Sequence, residues 1–233
     1  MKSLKKFFII ITMTTIFTAS AFAASSVEFI INAPLQIGVG IPSQFLKDNA
    51  GAKSETAFEY GVTAQFGRMM HISRGFGVSL LAELGYAHNN FAMSINARKI
   101  GEEMDKNVNF YYEFESLQVG VLPKLNFGAF SIGIGGGVKI PIEGKETVKI
   151  GSEKDSVKLS KSDIDSILDP DIIGYVKGTL DYSIFLTDRF ALNLGLYLGY
   201  DIIKAKIGIG DTKYYWGSFD AGVEVGLRFG QRA

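Results

Sequence analysis

The sequence contains no cysteine, only two histidines and only five prolines among its 233 residues. Without cysteine, the chain forms no disulfides and offers neither thiolate metal ligands nor a thiol nucleophile. An excess of positive charge is also missing, since 24 Lys and Arg residues stand against 24 Asp and Glu residues. A chain without a basic excess is a poor candidate for binding nucleic acid, so we expect no nucleic-acid partner.

Long hydrophobic runs are missing as well, apart from one run close to the first residue. Residues 7–17 are mostly apolar, three lysines precede them, and Ala21-Phe22-Ala23 follows as a small-x-small motif. This pattern predicts a signal peptide over residues 1–23 that is cleaved after Ala23. An uncleaved anchor is disfavoured because a membrane-spanning helix needs about 20 apolar residues. Cleavage removes three lysines, which leaves the remaining 24–233 segment with a net charge near −3.

What the chain does contain is a strict alternation of apolar residues with small or polar ones. From Phe219 to Phe229 every odd position is apolar, and the even positions between them carry Asp220, Gly222, Glu224, Gly226 and Arg228. A period of two means an extended strand with one apolar face and one polar face. The chain also has 27 glycines and 12% aromatic residues, which is ordinary for a β-barrel.

The alternation restarts often enough to predict eight strands. Their ranges are Val27–Ile41, Thr56–Phe66, Phe76–His88, Leu117–Leu125, Phe130–Ile142, Ile172–Leu186, Phe190–Ile202 and Phe219–Phe229. Pro34 and Pro123 lie inside two of these strands. They argue against those two strand assignments, because proline has no backbone N–H to donate to the hydrogen-bond ladder of a sheet. Upstream of the fourth strand, Phe110, Tyr112 and Phe114 have the opposite parity, which predicts a β-bulge near Glu115 and Ser116.

The connections between the predicted strands alternate in length. Short ones lie near 68–75, 126–129 and 187–189, whereas long ones lie near 42–54, 91–109, 143–171 and 203–215. Outer-membrane barrels have short periplasmic turns and longer extracellular loops, so both ends of the barrel are expected in the periplasm. The third long loop is the most highly charged, and we expect it to be solvated.

Periodicity alone leaves open which face of the sheet points outward. A soluble calycin-type barrel would place its apolar face inside, whereas a membrane barrel places that face against lipid. The polar face here is rich in Gly, Ser and Thr and poor in long charged residues, as the crowded interior of an eight-stranded barrel requires. The apolar face also carries aromatic residues near both strand ends, which is typical of the two aromatic girdles of a membrane barrel.

The chain therefore resembles the small eight-stranded outer-membrane barrels, the group of the OmpA transmembrane domain, OmpX and OmpW. Gly222, Val225, Leu227 and Phe229 resemble the C-terminal assembly signal of that group, although Gly230–Ala233 follow the terminal aromatic residue. The resemblance implies an all-β, eight-stranded antiparallel transmembrane up-and-down β-barrel over residues 24–233, in the outer membrane of a diderm bacterium. It implies outer-membrane lipid, the barrel-assembly machinery and periplasmic chaperones as partners.

The predicted inward face gathers both acidic and basic residues. It carries Glu59, Glu83, Lys124, Lys139, Lys177, Asp181, Asp220, Glu224 and Arg228. In a narrow lumen these charges must pair or be solvated, because an isolated buried charge is very costly. One interpretation is a plug of ion pairs in which Glu83, Lys139 and Glu224 share a network. The other is a solute or ion pathway that opens when the pairs rearrange.

Candidate catalytic residues are few. Some barrels of the resembled group modify lipid A with a histidine, a serine and an acid near the outer rim. His71 begins the sequence His71-Ile72-Ser73 but lies in a predicted periplasmic turn, and His88 lies near the outer rim without a serine two residues later. We interpret His88 as a structural residue without a catalytic partner. Gly133–Gly137 resembles a phosphate loop only superficially, because no helix and no Lys-Ser/Thr follow.

No cofactor motif and no metal-ligand spacing appear along the sequence. The leading hypothesis is a non-enzymatic, surface-exposed outer-membrane protein whose four long loops contact the environment or a host. A narrow channel for small or hydrophobic solutes is the second hypothesis, and a lipid A-modifying enzyme is the third.

Overall fold

The computed structural model describes residues 25–97, 106–206 and 213–233, so the signal peptide expected at 1–23 lies outside the described residues. Its strands are β1 (Ser25–Ile41), β2 (Lys53–Ser54), β3 (Thr56–Ser73), β4 (Phe76–Asn96), β5 (Asn107–Phe127), β6 (Phe130–Ile150), β7 (Glu153–Leu159), β8 (Ile173–Phe185), β9 (Phe190–Lys206) and β10 (Lys213–Phe229). Two short helices are α1 (Gln44–Ala50) and α2 (Lys161–Ile167). No helix in the described ranges is both long and apolar enough to cross a membrane.

Eight of the strands form a closed ring in chain order, namely β1, β3, β4, β5, β6, β8, β9 and β10. Each strand is antiparallel to the next, and β1 closes the ring against β10, with Phe29 opposite Phe229 and Ile41 opposite Gly217. This is an up-and-down eight-stranded barrel, so the predicted fold class is confirmed. Seven predicted strands fall within observed ones, and the sixth exceeds β8 by one residue at each end.

The apolar face of the sheet points outward and the polar face points into the lumen. Leu84 is 62% exposed and Ile134 is 74% exposed, whereas Glu83 and Lys139 are each 1% exposed. A soluble barrel would show the reverse arrangement, so the calycin alternative is wrong. Aromatic side chains meet in pairs at the short-turn end of the outer face, with ring centroids 5.1 Å apart for Phe76 and Phe127. We call this the periplasmic end, after the orientation that the connection lengths predict.

Three neighbouring strands are far longer than a membrane requires. β4, β5 and β6 each have 21 residues, whereas about 9–11 residues span the bilayer as a tilted strand. The surplus forms a sheet in the order β2-β4-β5-β6-β7, projecting about 30 Å at 3.3 Å per residue. We call it the extracellular sheet, after the orientation that the connection lengths predict. Strand therefore occupies residues 91–96 and 107–109 of the second predicted loop and residues 143–150 and 153–159 of the third, which also contains α2.

The β-bulge predicted within β5 near Glu115 and Ser116 is wrong, because the extra residue lies on the neighbouring strand β6. The β5–β6 register shifts at this point, where Glu115 pairs with Glu143 and Ser116 pairs with Pro141, so Ile142 of β6 is unpaired. Along β5 the parity continues without a break, and Phe114 is completely buried in the lumen. The upstream aromatic residues therefore keep the inward parity, and the interior itself changes from polar to apolar.

Both strand prolines occupy positions where the ladder to one neighbour is interrupted. The β1–β3 pairs skip from Asn32 to Leu35 around Pro34. The β5–β6 pairs skip from Val121 to Lys124 around Pro123. Because no ladder donor is needed on that side, proline costs little at either position.

Candidate functional site: the filled lumen and its apolar cap

The inward side chains of β10 mark successive levels of the lumen from the periplasmic end outward. Arg228, Glu224, Asp220 and Trp216 are four residues apart and all are buried. A period of two places all of them on the same face of the strand. These four residues therefore define successive levels of the lumen.

At the periplasmic level, Arg228 pairs with Glu28 of β1 at 2.9 Å. The Arg228 guanidinium also donates to Ser183 Oγ at 3.1 Å, and Ser79 Oγ donates to the Glu28 carboxylate. These groups are all buried. The periplasmic end of the lumen is therefore closed by a charge-assisted network.

The next level joins Lys124 to Asp181 at 2.9 Å, with both side chains at most 2% exposed. Asn193 donates to Asp181 Oδ1 at 3.2 Å, and Asn32 donates to Glu224 at 3.1 Å. Glu224 is thus linked to this level through a neutral amide.

The middle of the lumen is organised around Glu83. Its carboxylate pairs with Lys177 and accepts hydrogen bonds from Gln65 at 2.9 Å, from Gln118 at 2.5 Å and from Tyr175 at 3.0 Å. Four donors from β3, β5 and β8 satisfy one carboxylate from β4. A buried charge paired and hydrogen-bonded in this way is tolerated in a dry interior.

The upper level contains Lys139 and three acidic residues from β3, β9 and β10. Lys139 Nζ lies 2.6 Å from Asp201 Oδ2, and Asn89 Nδ2 donates to the same oxygen at 2.8 Å. Glu59, Asp201 and Asp220 each present an oxygen within 4.8 Å of the others. We call these three residues the acid triad.

Above the acid triad the lumen becomes apolar. A buried cluster, here called the cap, consists of Leu46, Ala52, Phe91, Met93, Ile95, Phe114, Ile164, Leu168, Ile173, Ile203 and Trp216. The Trp216 ring contacts the Phe91 ring at 6.0 Å and the Tyr112 ring at 5.3 Å between centroids. Leu46 comes from α1 and Ile164 from α2, so both helices close the outer mouth of the barrel.

Helix α2 is held in place by local chemistry. The Ser160 hydroxyl accepts from the Asp163 amide and the Asp163 carboxylate accepts from the Ser160 amide, which is a complete capping box. Hydrogen bonds from the Ser160 hydroxyl and backbone hold the pKa of Asp163 below its usual value. The Lys161 ammonium lies 2.9 Å from Asp165 and also pairs with Asp171, whose hydrogen bond raises the pKa of Lys161.

The structure brings the predicted lumen residues together in a different grouping from the one expected. Lys139 is not bonded to Glu83 or Glu224 but to Asp201, while Glu83 is bonded to Lys177. Asp201 lies on the polar face of its strand, and strand parity was the signal that could have identified it. The cap was not predicted because Phe91, Met93 and Ile95 were assigned to a long loop. They instead continue the alternation of β4 beyond the membrane.

His88 has a partner, which corrects its interpretation as partnerless. Its Nδ1 lies 2.7 Å from Glu115 Oε1, and its ring stacks on Tyr60 with centroids 4.7 Å apart. The Tyr86 hydroxyl donates to the same carboxylate. A carboxylate-oriented imidazole can act as a general base, but among the described residues no serine or threonine is bonded to it. His71, by contrast, contacts the backbone oxygen of Arg232 at 3.3 Å.

Gly133–Gly137 lies inside strand β6 and forms no loop. A Cβ atom at Gly137 would lie 2.0 Å from the Val119 carbonyl oxygen, and one at Gly135 would lie 2.4 Å from that of Val121. Close approach of β5 explains the glycines, and the phosphate-loop alternative is wrong.

The residues of the predicted assembly signal lie on the closing strand. Val225, Leu227 and Phe229 point toward lipid and pair with Ala33, Ile31 and Phe29 of β1. Gly222 packs closely against Leu35 and Gln36 of β1. Just beyond the strand, the Gly230 amide donates a hydrogen bond to the Arg189 carbonyl oxygen at 2.9 Å.

A scan against protein-family models found no match, and a search of curated proteins found none either. Among solved structures, the chain is similar to Ail of Yersinia pestis in complex with the heparin analogue sucrose octasulfate, at 13% identity and a TM-score of 0.36, over 87% of this chain and 99% of that one. It is also similar to neisserial surface protein A, at 12% identity and a TM-score of 0.34, over 84% and 96% of the two chains. A third is the outer membrane protein OprG from Pseudomonas aeruginosa, at 13% identity and a TM-score of 0.34, over 88% and 96%. The closed ring with its apolar exterior makes this chain a small β-barrel of the outer-membrane type.

Proposed function

We propose that the protein is a non-enzymatic integral protein of a diderm outer membrane that works through its extracellular surface. On this hypothesis the barrel is an anchor, and the extracellular sheet together with α2 contacts the environment or a host. The observation that carries the proposal is the closed lumen. Lys124, Lys139 and Arg228 are at most 2% exposed, and the cap covers them.

A closed lumen argues against the channel hypothesis on energetic grounds. A solute would have to separate the cap residues and then break buried ion pairs such as those of Lys124 and Lys177. Breaking one buried pair costs about 3–5 kcal/mol. Several such steps in series would make passage very slow.

The extracellular sheet supplies the accessible surface that the lumen lacks. Along β7 the first six of seven residues are exposed, and they alternate between acidic and basic side chains at Glu153, Lys154 and Asp155. In the described part of the chain, β7 pairs with β6 alone. Charged residues on such an edge oppose aggregation while leaving the side chains free to meet a partner.

Shortening the β6–β7 hairpin tests the proposal. Thr147 pairs with Ser156, so replacing residues 148–155 with Asn-Gly should close a shorter hairpin and leave the barrel intact. We expect the variant to fold, as shown by heat-dependent gel mobility, but to reduce adhesion of expressing cells to host-cell and abiotic surfaces.

Two single cysteines provide the control for orientation. Ser156→Cys should react with an impermeant maleimide on intact cells, whereas Asp188→Cys, in the turn before β9, should react only after the outer membrane is opened. Unchanged adhesion of the short-hairpin variant would overturn the proposed surface role. The opposite labelling pattern would show that the extracellular sheet faces the periplasm.

A further inference from the structure

We propose that the acid triad binds one hard divalent cation, with calcium as the test ion. Glu59, Asp201 and Asp220 are each completely buried. One carboxylate oxygen from each lies within 4.8 Å of the other two. Ionised carboxylates held this close in a buried interior repel one another strongly, and a cation bound among them would relieve that repulsion.

The charge balance at this level indicates what is missing. Lys139 pairs with Asp201 at 2.6 Å and neutralises one of three negative charges. The nearest level below offers Lys177, but that ammonium is bonded to Glu83. Within the described residues, no other lysine or arginine is paired with the triad. With all three carboxylates ionised, two negative charges remain, and one divalent cation carries the opposite charge.

Unpartnered oxygen atoms point to the same conclusion. Glu59 Oε2, Asp201 Oδ1 and Asp220 Oδ2 are buried and accept no hydrogen bond. Asn89 provides an independent fourth acceptor: its amide is completely buried and is held against the triad because Nδ2 donates to Asp201. The carbonyl oxygen Oδ1 of that same amide has no partner. Buried acceptors without donors are the groups that a cation satisfies.

Strand β1 leaves space for these groups to converge. A Cβ atom at Gly38 would lie 2.7 Å from Glu59 Oε1 and 3.0 Å from Ser218 Oγ. A larger residue would therefore push the Glu59 carboxylate away from the triad. Ser218 also donates to Asp220 Oδ1 at 2.8 Å, which fixes the orientation of that carboxylate.

The donor set selects the class of metal. All the available ligand atoms are carboxylate or amide oxygens, which favour hard cations such as calcium and magnesium over zinc or copper. Calcium–oxygen distances of about 2.3–2.6 Å allow the ligands of one calcium ion to lie up to about 5 Å apart. The triad oxygens lie within 4.8 Å of one another, which is close enough for one calcium ion to contact all three.

A cation at this position would link strands on both sides of the barrel closure. Glu59 lies on β3 and Asp220 on β10, and both strands flank β1, which closes the ring. Asp201 adds β9 to the same site. The ion would thus brace the closing seam directly below the cap and slow its opening.

Metal analysis of the mature protein, refolded with calcium or with a chelator, tests the inference. We expect one calcium ion per chain after removal of free metal. At a calcium concentration 100 times Kd, mass action should shift the folding equilibrium about 100-fold toward the barrel. Asp220→Asn should reduce calcium affinity by at least about tenfold, since it removes a ligand charge.

Glu224→Gln is the matched control, because Glu224 is a buried acid of the same strand one level below the triad. It should retain the calcium response. If Asp220→Asn fails to fold, stoichiometry and stabilisation of the unmodified chain decide the question. Absence of bound calcium and equal stability with chelator would overturn the inference.

Discussion

At the scale of single residues, the lumen lysines connect strands that are not neighbours. Lys124 of β5 pairs with Asp181 of β8, and Lys177 of β8 pairs with Glu83 of β4. Such pairs bridge the interior, so each one restrains the cross-section of the barrel. Each also depends on its partner, because a single charge left alone in a buried interior is poorly solvated.

The pair of Lys177 and Glu83 should therefore be strongly coupled. We expect Lys177→Met to lower the free energy of unfolding by about 3–5 kcal/mol. Adding Glu83→Gln should recover part of that loss, because the second change removes the stranded charge. Equilibrium unfolding in detergent measures this cycle. Lys124→Met combined with Glu83→Gln is the control and should be additive; additivity in both combinations would show that the middle of the lumen is hydrated.

These partners could not be predicted from the sequence, although their orientation could. A period of two assigns Glu83, Lys139 and Asp201 to the inward face without fixing their heights. Heights depend on strand tilt and on the stagger around the ring, neither of which the alternation encodes. For that reason Lys139 was grouped with Glu83 and Glu224 and is in fact bonded to Asp201.

At the scale of elements, α2 is a short helix that carries buried residues into the cap. Its seven residues are too few to be stable alone, so the capping box and the burial of Ile164 must hold it. Hydrogen bonding lowers the pKa of Asp163 and raises that of Lys161. The contribution of Asp163 is present above its unfolded pKa and is lost as pH falls through the folded value. That of Lys161 is present below its unfolded pKa and is lost as pH rises through the folded value.

Ser160→Ala should loosen α2 without unfolding the barrel. Loss of an N-cap hydroxyl costs about 1 kcal/mol, so amide hydrogen exchange in α2 should become about fivefold faster. The protection factors of α2, which correct for the intrinsic pH dependence of amide exchange, should also fall in acid, as Asp163 becomes protonated, and in strong alkali, as Lys161 loses its proton. Ser152→Ala, in the turn between β6 and β7, is the control. Unchanged exchange in Ser160→Ala would show that burial alone holds the helix.

The closing strand makes a second prediction at this scale. Phe229→Ala and Leu227→Ala should sharply reduce the folded, heat-modifiable protein, because both residues belong to the predicted assembly signal and lie on β10, which pairs with β1. Phe66→Ala is the control, since Phe66 is a lipid-facing aromatic of an internal strand.

Deleting residues 230–233 removes one backbone hydrogen bond to Arg189 and the contact to His71, so it should be tolerated. Damage equal to that of Phe229→Ala would make the tail part of the signal.

The element boundaries show where sequence reasoning reached its limit. Strands within the membrane were predictable because lipid on one side and a crowded lumen on the other enforce alternation. The outer halves of β4, β5 and β6 were not, because there the inward positions become apolar at Phe91 and Phe114 while their strands keep the same parity. The change of the inward positions from polar to apolar was therefore misinterpreted as a β-bulge that reverses the orientation of the side chains.

At the scale of the whole molecule, the barrel continues on one side into a projecting sheet. The barrel interior is filled by ion pairs at several levels, and the cap covers them at the outer mouth. Within the projecting sheet, the outer half of β4 is buried, whereas β7 offers an exposed surface of mixed charge. This division is consistent with an anchored surface protein and inconsistent with an open pore.

Planar-bilayer recording of the refolded mature barrel tests the closed lumen most directly. The buried ion pairs and the cap predict no discrete conductance steps at moderate voltage, even though the protein is inserted and heat-modifiable. Reproducible single-channel steps from such protein would contradict the closed lumen, and the channel hypothesis would replace the surface role proposed above.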